Sequence, residues 1–219
     1  MNKLVIFDFD GTIADSMWAW DALGRETLEE NSLPPLPDYE NVIRTMSVPD
    51  FSKYLPKIYP SLAPDDKLMA YWHDKMVFNY LNRVSLKKGI IQLLDYLKQS
   101  NFKIILASAT KYEVLLEAVK HFNLEKYFDG ILTEERVGAT KRDPKIYLMC
   151  AQQANCDINN VFLFEDAVHA IKTAKAIGIK TCGISDYSMR AHAEEIKQTV
   201  DLYLDDFTNL SAIKSFLLK

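Results

Sequence analysis

Leu4-Val5-Ile6-Phe7-Asp8-Phe9-Asp10-Gly11-Thr12-Ile13-Ala14-Asp15-Ser16 sets the reading of the whole chain. Four apolar residues without a polar interruption suit a strand buried on both faces, as in a parallel sheet. The run stops at a carboxylate, a second carboxylate follows two residues later, and a glycine turn comes next. If extended geometry continues through Phe9, the period of two points Asp8 and Asp10 the same way and crowds two like charges into one small volume. Such crowding calls for a cation. The same residues also suit an Asp-rich turn that merely ends a strand, with Asp15-Ser16 opening a helix.

Outward from this stretch, 219 residues accommodate one large domain or a domain carrying an insertion. A net charge of −4 with 26% charged residues, and no basic run, argue against nucleic acid as a partner. The apolar stretch after Lys3 is too short for a signal peptide or a transmembrane helix, and no later stretch is long enough, so no membrane partner is expected. Three cysteines, Cys150, Cys156 and Cys182, are an odd number without C-x-x-C spacing, which fits a reducing cytoplasm better than a disulfide framework or a structural zinc site. The four histidines are scattered through helical patterns and read as surface or packing residues.

From Ser16 to about Asn82 the pattern is helical. Met69, Trp72, Met76 and Tyr80 would stripe one helix face, and Trp20, Leu23 and Thr27 another, while prolines from Pro34 to Pro64 divide the segment. From Val84 onward strands and helices alternate: strands are expected at 102–107, 130–132, 161–164, 179–182 and 202–204, with helices between and after them. The expected architecture is therefore α/β, a doubly wound and mainly parallel sheet formed by residues 1–14 and 84–219, with residues 15–83 as an inserted all-helical domain.

Open α/β sheets bind ligands beyond the carboxyl ends of their strands. After the strand at 102–107 comes Ser108-Ala109-Thr110-Lys111, a hydroxyl followed by backbone N–H groups and a helix N-terminus, a combination that suits a phosphate or another oxyanion. Either Ser108 or Thr110 is expected to cap that helix. After the strand at 161–164 comes a second acidic pair, Glu165-Asp166. Four carboxylates at one sheet edge repel, and a hard cation such as Mg²⁺ relieves the repulsion. Lys141 lies in the turn Gly138-Ala139-Thr140-Lys141-Arg142-Asp143-Pro144 and, taken alone, reads as a surface charge.

In this order, Asp8-Phe9-Asp10-Gly11-Thr12, Ser108, Lys141 and Glu165-Asp166 resemble the four motifs of the haloacid dehalogenase-like superfamily, and the match spans nearly the whole chain. The likeness is to the branch of phosphoglycolate phosphatase-like enzymes and β-phosphoglucomutase, with a Rossmann-like core and residues 15–83 as its helical cap. The resemblance implies a Mg²⁺-dependent phosphatase that hydrolyses a small phosphorylated metabolite through an aspartyl-phosphate. Asp8 would be the nucleophile and Asp10 the general acid and then base. The side chains of Asp8 and Asp166, with the backbone carbonyl of Asp10, would hold Mg²⁺, supported by Glu165. Ser108, Ala109 and Lys141 would bind the phosphoryl oxygens, Lys141 also offsetting the charge of Asp8.

The chain departs from that branch in places. Arg142 and Lys88 stand where the branch often has prolines, and Trp20 stands where the mutase has a histidine in its first cap helix, which favours hydrolysis over a sugar-phosphate mutase. A non-enzymatic phospho-acceptor of receiver type shares the acids, hydroxyl and lysine, but it has no use for Asp10 or for the insertion. Specificity would come from cap residues such as Arg25, Arg44, Lys53 and Lys57. A monomer or a weak homodimer in the cytoplasm is expected.

Overall fold

The computed structural model describes residues 2–218, the side chains of residues 44 and 45 excepted, so Arg44 as a candidate specificity residue lies outside the described residues. The chain forms two compact units, one of residues up to Met17 and from Val84 onward, the other Trp18–Arg83. The strands are β1 (Leu4–Phe7), β2 (Ala14–Asp15), β3 (Ser85–Leu86), β4 (Lys103–Ser108), β5 (Gly130–Thr133), β6 (Val161–Glu165), β7 (Lys180–Ile184) and β8 (Leu202–Leu204). Among the described residues six of them form one sheet in the order β5-β4-β1-β6-β7-β8, and every pairing in it is parallel. This is the doubly wound α/β core read from the alternating pattern. The remaining two, β2 and β3, form a short antiparallel pair that no sequence pattern announced.

β1 lies in the middle of the sheet because its four residues are apolar throughout and all fully buried. Phe7 stands opposite Leu106 of β4 and Phe164 of β6, and the ladder runs one bond further, the N–H of Asp8 donating to the Phe164 carbonyl at 3.0 Å. From β1 the chain winds outward through β4 to β5, then returns to β6 on the other side and continues to β7 and β8. That reversal opens a crevice at the carboxyl end of β1, where the residues after β4 and β6 also emerge.

The helical unit contains α1 (Met17–Glu30, whose first residue belongs to the other unit), α2 (Tyr39–Thr45), α3 (Val48–Ile58) and α4 (Asp65–Asn82). Its centre is Trp72, fully buried, stacked on Phe51 at 5.6 Å between ring centroids. The indole N–H donates to Thr27 Oγ1 at 2.8 Å, so burial leaves that polar atom satisfied. Two details of the expected stripes are corrected. Leu68 accompanies Trp72, Met76 and Tyr80 in the core while Met69 is only half-buried, and in α1 the buried face runs through Ala19, Leu23 and Thr27 with Trp20 half-buried beside it. Pro49 does not break a helix but sits in the first turn of α3, where its missing N–H does no harm and Ser47 supplies the cap.

Along the rest of the chain follow α5 (Ile90–Gln99), α6 (Tyr112–His121), α7 (Glu134–Val137), α8 (Lys145–Gln153), α9 (Val168–Ala176), α10 (Ala193–Thr199) and α11 (Leu210–Leu217). Leu4 and Ile6 pack on one face of the sheet with Ile146, Tyr147 and Cys150 of α8. On the strand's alternate side Phe7 stacks on Phe164 at 4.9 Å, and Phe207 and Phe216 close the aromatic group. Each such side chain, fully buried, contributes about 1.5–3 kcal/mol, so β1 and the acids at its end are held firmly from both faces. No described helix is long and apolar enough to cross a membrane.

Candidate active site

Asp8 emerges directly from β1, and Glu165 and Asp166 end and follow β6 beside it, so adjacent parallel strands deliver three acids to one place. One carboxylate oxygen from each lies within 4.8 Å of the others, and all three residues are buried. Gly11 shapes the turn after Asp10. Its φ of +81° is a left-handed conformation, and a Cβ there would stand 2.6 Å from Asp166 Oδ2, so both the turn and the approach of Asp166 require glycine. Thr12, in the same turn, donates from its hydroxyl to Asp166 Oδ1 at 2.9 Å.

Lys141 reaches the cluster from the loop between α7 and α8. Its Nζ lies 2.5 Å from Asp8 Oδ1 and 2.8 Å from Glu165 Oε2, and its side chain is 5% exposed, so it is no surface charge. The loop is fixed where Gly138 ends α7 in a left-handed conformation and the backbone N–H of Lys141 donates to Glu134 Oε1 at 2.7 Å. The second oxygen of Glu165 accepts from the N–H of Ala167 at 3.1 Å, which ties it to the start of α9.

Burial raises the carboxyl of Asp8 and the charge of Glu165 raises it further; against the pull of Lys141 it still stands at about 8. Asp166 is likewise pushed well above the carboxylate range, by burial first and then by Glu165 and Asp8. Burial opposes the charge of Lys141, but Asp8 and Glu165 outweigh it and hold the ammonium well above its ordinary value. With all groups ionised, three carboxylates and one ammonium leave two negative charges. Hard oxygen donors with that residual charge fit a small divalent cation of the Mg²⁺ class.

Asp10 stands near enough for its charge to raise Asp8, but its side chain has its own partners. The chain leaves the strand after Phe7 and turns back through Gly11, and the carboxylate of Asp10 does not join the acidic cluster. Ser16 Oγ donates to its Oδ1 at 2.6 Å and Thr110 Oγ1 to its Oδ2 at 2.7 Å. Ser108 ends β4, and its Oγ accepts from the N–H of Thr110 at 3.1 Å, with Ala109 exposed between them. Neither hydroxyl caps α6, whose N-cap position is Lys111, because both are already engaged at the strand end. The chain pattern therefore located Asp8, Ser108, Ala109, Glu165 and Asp166 at one sheet edge, and missed that Thr12, Ser16 and Thr110 are the hydroxyls that hold the acids. Of the cap cations considered from sequence, Arg25 pairs with Glu40 at 3.1 Å on the surface, and Lys53 and Lys57 are exposed.

Comparison with known proteins adds independent findings. The family model described as haloacid dehalogenase-like hydrolase matches residues 5–184. A phosphorylated carbohydrates phosphatase of Thermotoga maritima is 30% identical over 183 residues, which covers 81% of this chain and 82% of the relative. The solved structure of CbbY from Rhodobacter sphaeroides in complex with phosphate superposes with a TM-score of 0.78 at 18% identity, covering 96% of each chain. That of β-phosphoglucomutase from Clostridium difficile gives 0.76 at 21%, covering 100% of this chain and 98% of the other. At these identities the two structures bear on the fold.

Proposed function

The chain belongs to the haloacid dehalogenase-like hydrolases, and from that premise we propose that it is a Mg²⁺-dependent phosphatase of a small phosphorylated carbohydrate, working through an aspartyl-phosphate on Asp8. The observation that carries the reading is the placing of Asp8, at the end of the central strand, between Lys141 and the acids of β6. A carboxylate so held is oriented for attack, and the Lys141 ammonium beside it supplies positive charge toward a phosphate ester. The carbohydrate class is supported by the Thermotoga maritima relative.

In this reading an oxygen of Asp8 forms a bond to phosphorus while the ester P–O bond breaks, and Asp10 gives its proton to the departing oxygen. Asp10, now a carboxylate, takes a proton from a water that attacks the phosphorus, and the Asp8–phosphorus link breaks to release inorganic phosphate. Ser108 Oγ, the N–H of Ala109 and the ammonium of Lys141 bind the phosphoryl oxygens through both steps. The carboxylates of Asp8 and Asp166 with the backbone carbonyl of Asp10 would hold Mg²⁺, with Glu165 in support. Bound there, the ion supplies positive charge against the phosphoryl oxygens.

The test is phosphate release from a panel of sugar monophosphates with and without Mg²⁺, on the wild-type protein and on Asp8→Asn. Turnover that needs Mg²⁺ and is lost in Asp8→Asn by far more than ~10-fold supports the reading. Turnover that survives chelator, or persists in the variant, contradicts it. A sugar-phosphate mutase would share the first step. With β-glucose 1-phosphate and a trace of the bisphosphate, glucose 6-phosphate formed with little phosphate release would assign the mutase instead.

A further inference from the structure

We propose that Thr110 is a positioning residue for Asp10: its hydroxyl, opposite that of Ser16, holds the carboxyl in the orientation from which it exchanges protons with the leaving group and with water. This rests on the reading of Asp10 as the acid and base. Both oxygens of the carboxylate are engaged, Oδ1 by Ser16 at 2.6 Å and Oδ2 by Thr110 at 2.7 Å. The two hydroxyls come from separate segments of the chain, Ser16 six residues on and Thr110 a hundred, and both residues are buried.

The plainer uses of a threonine here are excluded by what its atoms do. The helix after it begins from Lys111, and the turn to Ser108 is closed by the backbone N–H of Thr110, which leaves its hydroxyl to Asp10. The kind of partner also matters. An ammonium or a backbone N–H can only donate, and so always favours a carboxylate. A hydroxyl donates to the ionised form and, turned about its C–O bond, accepts from the protonated one. Asp8, which must stay anionic to attack, is held by the Lys141 ammonium; Asp10, which must gain and lose a proton in each cycle, is held by two hydroxyls. Thr110 also joins Asp10 to the strand end of Ser108, which links the proton donor to the proposed phosphoryl-binding loop.

The experiment measures release of the leaving group in the first turnover, for an alkyl phosphate whose leaving oxygen needs a proton and for p-nitrophenyl phosphate whose phenolate leaves without one. The variants are Thr110→Val, which keeps the shape and loses the hydroxyl, Thr110→Ser, which restores it, and Asp10→Asn as reference. The ratio of alkyl to aryl rates is expected to fall by about 10²-fold in Asp10→Asn and by about 10- to 10²-fold in Thr110→Val, and to recover in Thr110→Ser. Thr110→Ala reports the same ratio if Thr110→Val does not fold. A lowered ratio in Asp10→Asn with an unchanged one in the Thr110 variants would overturn this proposal and leave the acid role of Asp10 standing. Equal slowing of both substrates in Thr110→Val would overturn it too, placing Thr110 in phosphoryl binding. An unchanged ratio in Asp10→Asn would overturn the acid role itself and the proposal with it.

Discussion

Lys141 Nζ lies 2.5 Å from Asp8 Oδ1 and also 2.8 Å from Glu165 Oε2, so one buried ammonium serves two buried carboxylates. Once Asp8 is ionised, above about pH 8, removing the ammonium leaves a buried carboxylate without its cation. Lys141→Met is expected to lose about 3–5 kcal/mol of stability at pH 9 without divalent cation, the usual consequence of breaking a buried pair. Urea unfolding of wild type and variant at pH 9 checks it. A loss under about 1 kcal/mol would mean that the acids take up protons and do not depend on the lysine.

The same cluster fixes the sign of a pH dependence. In the folded protein burial and then Glu165 raise Asp8 from its ordinary 3.8 to about 8. Between those values the folded chain holds a proton that the unfolded chain has released, so this group's contribution to metal-free stability falls as pH rises from about 4 to about 8. A bound cation must displace that proton, and the carboxyl of Asp166, which burial also raises, acts in the same direction. Mg²⁺ affinity is therefore expected to increase with pH through this window, with protons released on binding. Calorimetric titration in buffers of different ionisation enthalpy reads both. Affinity independent of pH, with no proton release, would contradict the placing of the ion on these carboxylates.

Gly11 has a φ of +81°, and a Cβ there would stand 2.6 Å from Asp166 Oδ2. Gly11→Ala is expected to lose about 1–2 kcal/mol for the left-handed backbone alone. Displacing Asp166 should weaken Mg²⁺ binding as well, by about 10-fold or more. Thermal unfolding and Mg²⁺ titration separate the two effects. A variant with lowered stability and unaltered Mg²⁺ affinity would show that Asp166 has no part in holding the ion.

Much of this arrangement was legible in the sequence because it depends on short periods. The run Leu4–Phe7 is apolar throughout and suits a strand covered on both sides, and the polar residues after the other apolar runs fall at the same sheet edge. What was not legible depends on contacts between distant segments. Nothing local marks Lys141 as buried; it is buried because Glu134 and Gly138 shape its loop and two acids wait at the end of its reach. Thr110 and Ser16 precede helices, where a hydroxyl ordinarily reads as a cap, and their turn toward Asp10 follows from a fold that brings residues 10 and 110 together. The shared direction of Asp8 and Asp10 was conditional on extended geometry through Phe9; β1 ends at Phe7, and the Asp10 carboxylate meets Ser16 and Thr110.

The central claim is that Asp8 carries the phosphoryl group, and the most direct measurement is the mass of the protein quenched in acid during turnover of p-nitrophenyl phosphate with Mg²⁺. Asp10→Asn is the best subject, because the aryl group leaves without a proton while the attacking water has lost its base. The account predicts one added phosphoryl group per chain, located by peptide mapping on Asp8 and absent in Asp8→Asn. Release of nitrophenolate with no covalent phosphoryl group, or with the group on any other residue, would contradict it.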